Sequence, residues 1–196
     1  MWLEIITFDT TARVTLPGSF YREFRQAAPT FRPGGLTCYG KAFSLLRQEL
    51  DNQMPYLHGL AKEKNMRLNR PAVFFITDGL PYGGANGAYE SDAERENAWK
   101  ALSDDGYQYR PNLISLGINE ADQTVLEHYQ CGKHGGTMVV AGGQNAAKEL
   151  RNFLDMLVKS IVLSGDGTNK GSSAGKGNSP DIAAIFTGLA HPHRKH

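Results

Sequence analysis

Short apolar runs alternate along this chain with longer segments in which apolar residues recur every three or four positions. Such alternation predicts βαβ units around a mainly parallel sheet. The run 71–79 (PAVFFITDG) sets the frame, because Ala72 to Ile76 is apolar without alternation, the pattern of a strand covered on both faces. It stops on Asp78 and Gly79. A carboxylate there lies at the carboxyl end of a parallel strand, where open α/β sheets hold their ligands. Asp and Gly also open ordinary turns, so the dipeptide alone is equally a loop start.

Residues 2–8 read as a strand, 9–11 as a turn and 12–16 as a short partner, which predicts an antiparallel edge hairpin ended by Pro17 and Gly18. From 39 to about 60, Ala42, Phe43, Leu45, Leu46, Leu50 and Met54 recur at helical spacing; Thr37 is placed to cap this helix and Pro55 to kink or interrupt it. Residues 91–94 (SDAE) have the form of a capping box, with Ala93, Trp99 and Leu102 on the buried side of the following helix. Residues 112–116 form a further strand closed by Gly117, 121–129 a short helix, 137–141 the last strand, and 146–163 an amphipathic helix. The folded unit is expected over 1–164. Residues 165–179, where Ala174 is the one apolar residue, read as a flexible Gly, Ser and Asn linker, and 180–196 as a disordered tail with an apolar patch at 182–186.

A length of 196 residues fits one α/β domain with a sizeable core. The formal charge is +1 and basic residues are dispersed, so neither nucleic acid nor an anionic membrane is the expected partner. Cys38 and Cys131 are too few for a disulfide framework and read as free thiols of a reducing cytoplasm. The first residues lack the form of a signal peptide, and no apolar run approaches membrane-spanning length. His58 and His128 have no companion at ligand spacing, His134 lies in a Gly-rich turn, and residues 90–96 read as the solvated start of a helix.

Residues 5–8 (IITF) with 12–14 (ARV), then 34–37 (GGLT) opening a helix, then 75–79 (FITDG), together resemble a von Willebrand factor A (vWA) domain. The spacing is most similar to the bacterial TerY-like subgroup, associated with tellurium resistance and chemical stress, over residues 2–163. The resemblance implies a Rossmann-like, doubly wound sheet and a metal-ion-dependent adhesion site at its carboxyl edge. There Mg²⁺ or Mn²⁺ takes ligands from an Asp-x-Ser-x-Ser loop, a threonine and an aspartate. Thr37 and Asp78 match the last two. The first motif is absent: it and the family's first strand would precede Trp2, and residues 9–13 (DTTAR) carry Arg13 at the fifth position. In the family's strand order, 3-2-1-4-5-6, the missing strand is central. Its loss leaves 2–8 and 72–77 with unpaired apolar edges, which invite oligomers or completion by another chain, by a segment ahead of Met1 or by residues 181–186. One hydroxyl and one carboxylate would hold a cation weakly.

The expectation is therefore a protein-interaction domain and not an enzyme. Gly79, Pro81, Tyr82 and Tyr89 would form its partner face, with a partner's acidic residue completing the cation's coordination, as the family implies. Two alternatives stand beside it. Residues 35–41 (GLTCYGK) partly match a phosphate-binding P-loop and would make a nucleotide-binding hydrolase, but Ala42 occupies the position of the Mg²⁺-binding hydroxyl. The other is a metal-free scaffold completed by another chain.

Overall fold

The computed structural model describes residues 2–20, 34–119 and 121–141; the expected helix 146–163, the linker and the tail lie outside them. The hairpin forms as β1 (Trp2–Phe8) and β2 (Ala12–Phe20), paired antiparallel from Phe8 opposite Ala12 to Trp2 opposite Phe20. β2 runs through Pro17 and Gly18, where the sequence predicts its end. Leu16 faces Ile5 and Ser19 faces Leu3, so Pro17 and Gly18 together oppose Glu4 in a bulge. Bulged positions are released from the regular ladder, which removes the usual objection to proline in a strand.

Helix α1 (Tyr39–Glu63) is continuous through Pro55, contrary to the expected interruption. Met54 and Leu57 are buried on either side of that proline, and packing of this stripe outweighs one missing helical hydrogen bond. The helix ends in a Schellman motif: Asn65 adopts φ +50°, Met66 N donates to Ala61 O and Asn65 N to Lys62 O.

Strands β3 (Ala72–Thr77), β4 (Asn112–Asn119) and β5 (Gly136–Ala141) form a parallel sheet in that order. β4 continues past Gly117, which therefore does not close it. A side chain at Gly117 would press on Leu126 and Ala121, so this glycine serves the close approach of the helix above. Helix α2 (Asp92–Ser103) starts with the predicted capping box, Glu94 N donating to Ser91 Oγ and Ser91 N to Glu94 Oε2. It buries Trp99 and Leu102, whereas Ala93 is exposed. Helix α3 (Gln123–His128) is capped by Asp122.

The core is strongly aromatic. Tyr39 and Phe43 of α1, Phe75 of β3, Trp99 of α2 and Tyr129 meet with ring centroids 4.8 to 5.6 Å apart for Tyr39–Phe75, Phe43–Trp99, Phe43–Tyr129 and Trp99–Tyr129. Phe8, at the end of β1, stacks on Phe75 at 5.2 Å. Through such contacts, and through α1, the hairpin joins the core. It is not the edge of one continuous sheet, as expected, but a separate two-stranded sheet. Among the described residues β1 pairs only with β2, and β3 only with β4. The architecture is thus mixed α/β. Among the described residues no helix is long and apolar enough to cross a membrane.

Candidate functional site

The segment just before α1 ties the two sheets together at one end. Leu36 N donates to Thr10 Oγ1 at 3.0 Å and Cys38 N to Asp9 O at 3.1 Å, fastening the hairpin turn, while Tyr82 N donates to Thr37 O at 3.0 Å. Thr37 is therefore a bridge residue. It does not cap α1, whose N-cap is Cys38 with no side-chain cap bond. Its hydroxyl lies 3.4 Å from where a side chain on Gly79 would begin. Thr37 and the turn after Asp78 thus lie together at Gly79.

Below this junction, the buried Tyr39 donates its phenol proton to Gly79 O at 2.6 Å. Burial pushes that phenol up to about 12, so it stays a neutral donor. The carbonyl of Gly79 is clamped, and Asp78 beside it points its functional group outward: it is exposed, with no hydrogen bond or ion pair among the described residues. Next along the chain, Leu80 is 49% exposed, Tyr82 52% and Tyr89 56%. Pro81 is half-buried.

The loop between these residues is closed by its own backbone. Tyr89 N and Glu90 N both donate to Gly83 O, at 2.8 and 3.3 Å, around a short 3-10 turn at Ala85–Gly87. Any side chain at Gly83 would collide with the Glu90 carbonyl. A cleft of about 400 Å³ lies between this loop and the first turn of α2, lined by Tyr82, Asn86, Glu90 and Arg95 among others.

Glu90 is the residue that the sequence did not disclose. It is 2% exposed, not the solvated start of a helix. Its Oε2 accepts from Lys41 N, 3.0 Å away in the first turn of α1, and Arg95 Nη1 stands 4.0 Å from Oε1. A side chain on Gly40 would come within 2.8 Å of Oε2, so glycine is what lets the carboxylate approach. Burial pushes the Glu90 carboxyl above its ordinary value, while the Lys41 N–H and the Arg95 charge oppose the rise. Its partner is 49 residues earlier in the chain, and no local pattern points to it. The helix end where a P-loop would hold phosphate is thus taken by a carboxylate of the chain itself. Lys41 extends from the same turn, exposed.

A second polar group lies nearby. Tyr129 Oη accepts from Arg95 Nε at 2.9 Å and donates to Glu96 Oε1 at 2.7 Å, and His128 Nε2 is 2.9 Å from Glu96 Oε2. Burial works to raise the Glu96 carboxyl, yet these two hydrogen bonds hold it below the usual range. The arrangement joins α2 to the end of α3.

The oxygens that a resident cation would need are few. Asp9, closest in sequence to the missing motif, spends Oδ1 on Thr11 N at 2.8 Å and Oδ2 on Arg13 at 3.1 Å. Among the described residues no three His, Cys, Asp or Glu side chains gather into a metal-binding group. Thr37 and Asp78 alone do not fit the implied Mg²⁺ or Mn²⁺ as a resident ion. Compared with protein-family models, with curated proteins and with solved structures, the chain has no match.

The linkage at Glu90 has a definite sign. Its folded-state carboxyl is raised, so its contribution to stability is complete below the ordinary glutamate pKa and fades as pH rises through the raised value. Glu90→Gln keeps an acceptor for Lys41 N and should abolish this part of the pH dependence in urea unfolding. Glu90→Ala should cost about 1–3 kcal/mol by stranding the Lys41 N–H. A Glu90→Gln variant with the parent's pH slope would refute the assignment.

Proposed function

We propose that the chain is a cytoplasmic protein-interaction domain of the vWA type, Rossmann-like in its winding, with no catalytic turnover of its own. Its partner face is built from Asp78, Gly79, Pro81, Tyr82 and Tyr89, and it works in a bacterial stress-response or tellurium-resistance signalling assembly. The observation that carries the binding reading is the concentration of exposed large side chains, Leu80, Tyr82 and Tyr89, on one loop whose backbone is held at Gly79, Tyr82 and Gly83. Exposed apolar clusters on a rigid frame mark interaction sites, and tyrosine supplies contact area at small entropic cost. The family assignment is supported by the residues that carry the resemblance, Thr37 and Asp78 foremost.

A second reading, a scaffold completed by a strand from another chain, is favoured by the sides of β1 and β3 that have no partner among the described residues. It predicts a dimer or larger species by light scattering after size exclusion; a strict monomer removes it. The cation belongs to the first reading only as a weak ligand of Thr37 and Asp78. Calorimetry should find Mg²⁺ and Mn²⁺ binding no tighter than about millimolar, with so few protein oxygens available. Micromolar affinity lost in Asp78→Ala would overturn that. For the partner face, Tyr82→Ala should weaken a purified partner by about 2 kcal/mol, ~30-fold. Unchanged affinity in both Tyr82→Ala and Asp78→Ala would sink the binding reading.

A further inference from the structure

We infer that the segment recognised by this face carries an arginine, whose guanidinium takes the Asp78 carboxylate directly, without a bridging metal, and lies against the ring of Tyr82. The inference rests on the binding reading above and adds the chemistry of the partner. Its first support is charge. Residues 78–91 hold two carboxylates, Asp78 and Glu90, and no lysine or arginine. Glu90 is buried and engaged with Lys41 N and Arg95, so the charge this loop presents outward is that of Asp78.

Two described arginines near this end of the fold are already committed. Arg95, 12% exposed, is held by Asp92 at 2.7 Å and by Tyr129, and Arg13 is held by Asp9. Lys41, on the first turn of α1, lies in the field of Glu90 and Glu94. Asp78 is left with none of these contacts.

The second support is shape. Gly79, next to Asp78, sits against Thr37, and Tyr82 N is bonded to Thr37 O, so the backbone beside Asp78 and that of Tyr82 are held on the same residue. A planar, weakly hydrated guanidinium can pair with a carboxylate while stacking on an aromatic face, which an ammonium does less well. An acidic side chain would instead meet Asp78 as a like charge, unless a cation held by two oxygens intervened.

The test is an amide ¹⁵N–¹H titration of the full chain with two capped pentapeptides, Gly-Arg-Leu-Arg-Gly and Gly-Glu-Leu-Glu-Gly, each with and without Mg²⁺. The arginine peptide should shift Gly79, Tyr82, Gly83 and Gly84 without metal, weaken with added salt, and lose about fivefold in affinity in Asp78→Asn, the scale of an exposed ion pair. The same peptide with lysine should bind more weakly. If the glutamate peptide moves these amides, and only with Mg²⁺, the inference falls while the binding face stands. If the arginine peptide moves none of them, or moves them equally in Asp78→Asn, the inference also falls, and affinity of the purified partner for Tyr82→Ala judges the face separately.

Discussion

One buried carboxylate organises the end of the molecule where the candidate site lies. Glu90 accepts the Lys41 N–H at the positive end of α1, next to Arg95, and one residue later the capping box of α2 begins. An isolated buried charge would be costly; the helix terminus and the guanidinium reduce that cost without cancelling it, and Glu90 Oε1 has no hydrogen-bond partner among the described residues. The arrangement tolerates no bulk at Gly40 or Gly83. Because the loop is fixed at Glu90 and at Tyr82, its exposed tyrosines are presented by a frame and not by a free strand of backbone.

The aromatic core does a different job. Tyr39 spans both, its ring packed on Phe75 and its hydroxyl holding Gly79 O, so core packing and loop position are coupled through one side chain. The hairpin is joined to the parallel sheet by Phe8 on Phe75 and by backbone bonds from Asp9 and Thr10, with no strand ladder between them. Ring stacking fixes position without pairing strand edges, and among the described residues the outer edges of β1 and β3 have no partner, which is why they bear on the oligomeric state.

The perturbed groups fit a structural account. Tyr39, Tyr129, Cys38, Cys131 and Glu90 are all raised, with burial as the foremost cause. Each also makes a fixed contact, Cys131 to Pro111 O and Cys38 to Tyr82 O among them. Desolvation of this kind keeps the phenols and thiols neutral donors in a packed interior, whereas Glu90 serves as an acceptor. At the loop itself Asp78 is exposed and has no hydrogen bond or ion pair among the described residues.

Elements governed by near neighbours were legible in the residues themselves. The run from Ala72 to Thr77, the Ser91 and Glu94 box and the stripe from Ala42 to Met54 declare themselves through composition, capping chemistry and period. Pro17 and Gly117 were misread as strand ends, and Pro55 does not interrupt its helix, because local propensity yields to a bulge, a close helix and a buried stripe. The burial of Glu90 was decided by tertiary structure alone: it depends on a partner 49 residues away, and that distance is written in no local pattern.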